Sequence, residues 1–417
     1  MTRLSRRHFI ALGGTAASLG FANSIAVSAE PPLLRIRTIT AGISLSSVND
    51  VARIRATLQT LKRIKAAFEA SGHIVQSVRL ATQPLAEYLP DWQSDSSIAA
   101  LVKLDALAVE NGVGLALGPV INRDESVAAM AEWARKLIGA TARTNFSVAV
   151  ASAGTGIHRK AILTAAEVMA ALSRGSISGQ DNFRFVASAC IPADTPFFPA
   201  AWHSGEDSFG IGLETPNLLS KVFSDSADIA DASTRLKASL DAALLPIESK
   251  ARELADVHRL RYAGIDASPA PGLDASIGKA IEALTGKPFG SASTLAACAA
   301  ITSGLKTLKV KTCGYSGLML PVVEDKVLAE RASEGRYGLS ELLLYSSVCG
   351  TGLDVVPLPG DLPVDAIARI LGDVAALSVR YSKPLSARLL LVPGRRAGER
   401  VEFNHPMLTD SKIFSPE

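Results

Sequence analysis

Cysteine is scarce, with four residues in 417. Cys190, Cys298, Cys313 and Cys349 form no C-x-x-C pair. That excludes a disulfide scaffold and indicates neither a zinc site of the usual spacing nor a redox dithiol. The six histidines are scattered and include no H-E-x-x-H. There is no G-x-S-x-G elbow, no phosphate-binding Walker loop and no strand-following G-x-G-x-x-G. Aromatic residues make up 5%, and no basic cluster is interleaved with them, which argues against nucleic-acid binding. Glycine and proline, 32 and 21 residues, follow no period, so the chain is not fibrous. Beyond the N-terminus no apolar run reaches the length of about 18 residues that a membrane span needs.

What is present is core material: 48% hydrophobic residues, 20% charged and a mean hydropathy of +0.24. That composition belongs to a globular protein with a large interior. The formal net charge of +3 comes from the first 29 residues, which hold Arg3, Arg6 and Arg7 and no acid. The remainder balances at 40 basic against 40 acidic residues. Ser5-Arg6-Arg7-His8-Phe9-Ile10 runs into a mildly apolar stretch that ends at Val27-Ser28-Ala29. A twin-arginine pair, a Gly- and Ala-rich run and small residues at its end make a Tat-type export signal. The expectation is a signal peptide over 1–29, a single domain over 30–417, a periplasmic or secreted location, and no stable membrane anchor.

Strand-like runs alternate with helical ones. Leu33–Leu45, Val75–Leu80, Val113–Leu117, Phe146–Ala151, Phe183–Ala189, Phe209–Leu213 and Arg388–Val392 read as strands. Residues 49–71 repeat apolar positions at helical spacing (Val51, Ile54, Leu58, Leu61, Ile64, Phe68), with Asn49 or Asp50 as the cap. Helices are also expected over 97–110, Glu125–Leu137, His158–Leu172, 229–259, Leu273–Leu284, Thr294–Leu305 and Val364–Tyr381. Apolar strands separated by helices point to a parallel sheet covered by helices. About eight to ten such units suggest a closed α/β barrel, its site at the strand C-termini.

Chemistry-bearing residues cluster at the ends of these strands. Cys349-Gly350-Thr351-Gly352-Leu353-Asp354, followed by Pro357-Leu358-Pro359-Gly360-Asp361, places a thiol among glycines and carboxylates. Cys349, His203 and Asp354 are the candidate catalytic groups, the thiol as nucleophile or acid/base. Asp266, Gly350, Gly352, Asp361 and Glu214 are candidates for substrate binding. Glu324 and Asp325 could hold a hard divalent cation through oxygen. The same residues also suit plainer tasks: a buried cysteine in a tight turn, and acids spent on helix caps and turns. Cys298 with Cys313 is a candidate disulfide.

Several blocks resemble the bacterial and archaeal family known as domain of unknown function 711, or the PFL-like family. They are Arg37–Ser44, Gly264–Pro271, Ser316–Pro321, Cys349–Asp354 with Pro357–Asp361, and Lys383–Arg388. The resemblance covers roughly residues 34–410 and implies an α/β barrel of about ten strands, similar to that of glycyl radical enzymes such as pyruvate formate-lyase, with two five-stranded halves. It carries no assigned activity. An Arg-Val-x-Gly-Tyr-like glycyl loop is absent near the C-terminus, and radical chemistry is not expected. The expected function is therefore an exported non-radical lyase, isomerase or hydrolase acting on a small hydroxylated or carboxylated molecule. The alternatives are a periplasmic ligand-binding or sensing protein on the same scaffold, or a structural homo-oligomer. The expected partners are a small-molecule ligand and the export machinery.

Overall fold

The computed structural model describes residues 31–416 apart from Leu273. The export segment expected over residues 1–29 lies outside the described residues. From Pro32 onward the chain is one compact unit.

The described strands are β1 (Arg35–Ile43), β2 (Val78–Thr82), β3 (Gly114–Ile121), β4 (Thr144–Ser152), β5 (Gly156–Ile157), β6 (Phe185–Ala189), β7 (Ser208–Glu214), β8 (Arg261–Asp266), β9 (Gly352–Pro359), β10 (Leu385–Val392), β11 (Arg400–Val401) and β12 (Ser411–Lys412). The principal helices are α1 (Val51–Ala70), α2 (Asp95–Asn111), α3 (Met130–Ala140), α4 (Arg159–Ser173), α5 (Pro216–Ser224), α6 (Ile229–His258), α7 (Ile277–Thr285), α8 (Thr294–Lys306), α9 (Lys326–Ser333), α10 (Leu339–Ser346) and α11 (Val364–Tyr381). One mixed sheet runs in the order β8-β7-β1-β2-β3-β4-β6-β10-β9, with β5 paired to β4. Five strands (β1, β2, β3, β4, β6) are mutually parallel. The pairs β7–β8 and β9–β10 are each internally parallel and join the five antiparallel, at β1 and at β6.

The α/β class and the strand number agree with expectation. Closure by a regular strand does not: β8 and β9 are the two edges of the sheet. Residues 311–322 touch both edges through isolated bridges, Ile265 with Thr312 and Pro321 with Asp354.

The pleat explains which face does what. Successive side chains of a strand point to opposite faces. One face carries Ile39, Leu80, Leu115, Phe146, Phe185 and Leu389, and these join the main core under the helices. α1 is typical: Ile54, Leu58, Leu61, Ile64 and Phe68 are buried, and Asp50 caps the helix by accepting the Arg53 N–H at 3.4 Å. Each such side chain contributes roughly 1.5–3 kcal/mol by leaving water. The other face of the same strands is mostly small or polar, with Val186 the larger apolar member: Thr38, Thr40, Arg79, Ala81, Gly114, Ala116, Asn145, Ser147, Ser188, Ser386 and Arg388. Part of it is covered by the loop after β6. There Thr40 Oγ1 donates to the Pro196 carbonyl at 2.8 Å, and the His203 N–H donates to the Thr82 carbonyl at 3.0 Å.

Candidate functional site

The polar face opens onto a cavity of about 660 Å³. Its walls come from the starting ends of the five parallel strands (Arg37, Arg79, Gly114, Asn145, Val186) and from Asp354, Ser386 and Arg388 of β9 and β10. The loop after β6, residues 315–324 and the turn His405–Met407 complete it. The site expected at the C-terminal ends of the parallel strands thus lies at the opposite end of the five-stranded half. A second depression of about 300 Å³ shares Arg37, Gln76, Pro271, Glu324, Pro406 and Met407 with the first.

Arg388 organises the interior. Its Nε donates to Asp354 Oδ1 at 2.8 Å and its Nη2 to Glu324 Oε2 at 3.2 Å, while its guanidinium lies 4.6 Å from the centre of the Phe183 ring. Burial alone would lower the Arg388 pKa, but Asp354 and Glu324 outweigh it and hold the pKa above the usual value. Burial pushes the Glu324 carboxyl above its usual range, with Asp354 adding to the rise and Arg388 opposing it. A carboxyl so placed moves between acid and base at milder pH than a free one.

Arg79 stands beside this group with no carboxylate in contact. Among the described residues its guanidinium makes no hydrogen bond or ion pair, and it lies 4.9 Å from the centre of the Phe198 ring. Burial pulls its pKa below the usual value, Arg37 and Arg388 add to that, and the nearby Glu324 opposes it. Arg37 is better provided for. It donates to Gln76 Oε1 at 3.0 Å and lies 3.6 Å from Glu214. Arg184 spends its guanidinium on the Thr141 and Ile138 carbonyls. Tyr315 donates its hydroxyl to Ser386 Oγ at 3.0 Å, and Ser386 donates to the Thr351 carbonyl at 3.1 Å. The cavity lining carries five arginines against three carboxylates, so its field favours an anion.

The family described as Uncharacterised ACR (DUF711) matches residues 30–404. The chain belongs to this family. A UPF0210 protein of Pyrobaculum islandicum is 30% identical over 395 residues, covering 88% of this chain and 87% of its own. One from Desulforudis audaxviator is 28% identical over 402 residues, covering 89% and 88%. One from Methanocaldococcus jannaschii is 26% identical over 407 residues, covering 89% and 88%.

In this DUF711 member the expected site residues separate. Asp354 and Glu324 meet at the cavity, as described. Glu214 lines the adjoining depression, pairs with Arg35 and accepts from Gln76 Nε2 at 2.8 Å. Cys349 does not reach the cavity: it is 1% exposed and sits in the main apolar core. Its loop closes by packing, because the Cys349 carbonyl accepts Lys383 Nζ at 2.7 Å. His203 is fully buried elsewhere, between Asp194 Oδ1 at 2.9 Å and the Gly205 carbonyl at 3.1 Å. The catalytic roles expected of Cys349 and His203 at the cavity are not supported by these positions, since both residues lie in the interior away from it.

The glycines and remaining acids are structural. A Cβ on Gly350 would lie 2.3 Å from the Gly317 Cα, so two loops cross there in backbone contact. Gly352 has φ +89°, and a Cβ would lie 2.3 Å from the Ser386 carbonyl oxygen. Asp266 is fully buried and accepts the backbone N–H groups of Ser268, Tyr315 and Ser316. Asp325 is the α9 cap, accepting from Leu328 N at 3.0 Å, Ser276 Oγ at 2.7 Å and Ile277 N at 2.6 Å. Asp361 is exposed in the turn after β9. The cation site expected at Glu324 and Asp325 is not formed, since the two serve different partners. Among the described residues no group of three or more His, Cys, Asp or Glu is arranged for a metal ion. Cys298 and Cys313 are free thiols rather than a disulfide.

The residues not anticipated are Arg79, Tyr315, Ser386 and the aromatic pair Phe183 and Phe198. A signal for the first existed. Arg79 interrupts an apolar strand on the polar side of its pleat, where a long cation is out of place in a plain core.

Proposed function

We propose that this protein is an exported enzyme that binds a carboxylated small molecule at the cavity and catalyses a proton transfer on it, as a lyase or isomerase does. The observation that carries this reading is Arg79, a guanidinium inside a cavity with no carboxylate in contact, set near the buried Glu324 carboxyl. Arg79 and Arg37 would receive the substrate carboxylate. Glu324, ionised, would take a proton from the substrate and return it at the next position or to a leaving group. Arg388 holds Glu324 and Asp354 in place. Tyr315 and Ser386 offer hydroxyls along the wall. No thiol takes part. Asp354 and Glu324 are both tied to Arg388, and that rigidity favours the second reading, a binding protein on the same scaffold.

The two strand groups of opposite direction, with residues 311–322 between the edges, fit a barrel of two five-membered halves like that of the glycyl radical enzymes. The family match begins at residue 30, next to the expected cleavage point, which supports an N-terminal Tat-type segment separate from the domain.

The test is solvent exchange. The purified protein is incubated in D₂O with a panel of 2-hydroxy, 2-keto and unsaturated monocarboxylates and followed by proton NMR. Exchange at a carbon-bound position, lost in Glu324→Gln and in Arg79→Met, supports the enzyme. Binding without exchange across the panel favours the binding protein. Absence of binding by every member overturns both.

A further inference from the structure

The cavity is two-sided. Its charged side is built by Arg37, Arg79, Glu324, Asp354 and Arg388. Its floor is different: Val186, Phe197, Ala200, Ala270, Tyr315 and Met319 form an apolar cluster separate from the main core. All but Ala200 line the cavity. Phe183 and Phe198, each stacked under an arginine, extend this surface upward. The His405 ring packs 5.2 Å from Phe183, and Met407 also lines the cavity.

The charge count and the volume constrain the ligand together. Arg388 is matched by Asp354 and Glu324, and Arg37 is shared with Gln76 and Glu214. Arg79, in contact with no carboxylate among the described residues, suits one negative charge, whereas Arg143, whose guanidinium is likewise unpaired among them, is exposed to solvent. A volume of about 660 Å³ is in the range of roughly 300–1,000 Å³ that encloses drug-sized ligands. A three-carbon hydroxy acid would leave the apolar floor wet.

We infer that the ligand is an amphipathic monocarboxylate, its carboxylate at Arg79 and an aromatic or similarly bulky apolar body over Val186, Phe197 and Met319. This rests on the cavity being the carboxylate site proposed above, and it narrows that reading from small polar acids to acids with an apolar body. Burial of the body against a preformed apolar floor supplies affinity that the single ion pair does not.

Calorimetric titration of the purified protein with lactate, 3-phenylpropanoate and phenyl phosphate tests it. The expected result is binding of 3-phenylpropanoate at least about tenfold tighter than lactate. The phenyl phosphate dianion should bind more weakly than the monocarboxylate of similar size. Met319→Gln should erase the advantage of the ring while leaving lactate unchanged. Val186→Thr, nearly isosteric, checks the same surface should the first variant fold poorly. Arg79→Met should weaken both carboxylates. Equal affinity for lactate and 3-phenylpropanoate, or preference for phenyl phosphate, overturns this inference while the carboxylate site stands. If neither carboxylate binds, the site itself is overturned and this inference with it.

Discussion

Replacing Asp266 with asparagine changes one oxygen to an NH₂ and almost nothing in shape. The carboxylate sits fully buried at the end of β8 and receives four donors. Oδ1 accepts Ser268 N at 3.1 Å, Ser268 Oγ at 2.7 Å and Ser316 N at 2.9 Å, and Oδ2 accepts Tyr315 N at 2.8 Å. Burial penalises the charge and raises its pKa, and the four donors oppose that. An asparagine keeps one acceptor oxygen. Whichever way the amide turns, at least one backbone N–H then faces an NH₂. A buried donor left unpaired costs about 1–3 kcal/mol, and the lost charge-assisted bond adds to it, so a destabilisation of about 2–3 kcal/mol is expected. There is little room for rotation, since a Cβ at Gly314 would already stand 2.2 Å from Oδ2. Urea unfolding of wild type and Asp266→Asn should show a lowered midpoint with an unchanged slope. A variant within about 0.5 kcal/mol of wild type would refute the claim that this carboxylate holds the Tyr315 wall, because ordinary surface changes have that size.

Three other outcomes follow from the same geometry. In native protein, a thiol reagent should label Cys190 and Cys313 before Cys298 and Cys349, which react only after unfolding; rapid native labelling of Cys349 would contradict its core placement. Gly350→Ala should cost about 1–3 kcal/mol by forcing the Gly317 backbone apart, and an unchanged melting temperature would show that the loops do not cross there. Glu324 has a raised pKa in the folded state, so its stabilising contribution is full below its ordinary value of 4.5 and is lost as pH rises through the folded value. Glu324→Gln, fixed in the neutral form, should therefore gain on wild type in unfolding free energy as the pH rises above 4.5; a gap that moves the other way would mean that Arg388 dominates.

Much of the fold was legible because the signals were local. Five of the six spaced apolar positions of α1 are buried, Val51 being exposed, Asp50 is the one of the two expected caps that serves, and α11 is found over Val364–Tyr381 as expected. Strand ends slipped where tertiary pairing decided them. Val75 makes only an isolated bridge to Ile36, so β2 starts at Val78. β9 was hidden: Gly352, Pro357 and Pro359 read as turn residues, and an edge strand tolerates the missing donors of proline. The α7 helix begins at Ile277 rather than Leu273 because Ser276 caps it, accepting from Lys279 N at 3.0 Å. The site was legible in part. Asp354 and Glu324 were found as acids at turns. Cys349 and His203 misled because exposure is not written in a local motif: a Cys among glycines is equally a packing point between loops. Arg79 was passed over because its significance lies in what it lacks, a carboxylate in contact, and only the fold shows its neighbours.

The most direct test of the account is the position of a bound carboxylate. A crystal of this protein soaked with 3-phenylpropanoate should show the carboxylate within hydrogen-bond reach of the Arg79 guanidinium and the ring above Met319. A carboxylate bound elsewhere, or a cavity left empty at saturating ligand, would contradict it.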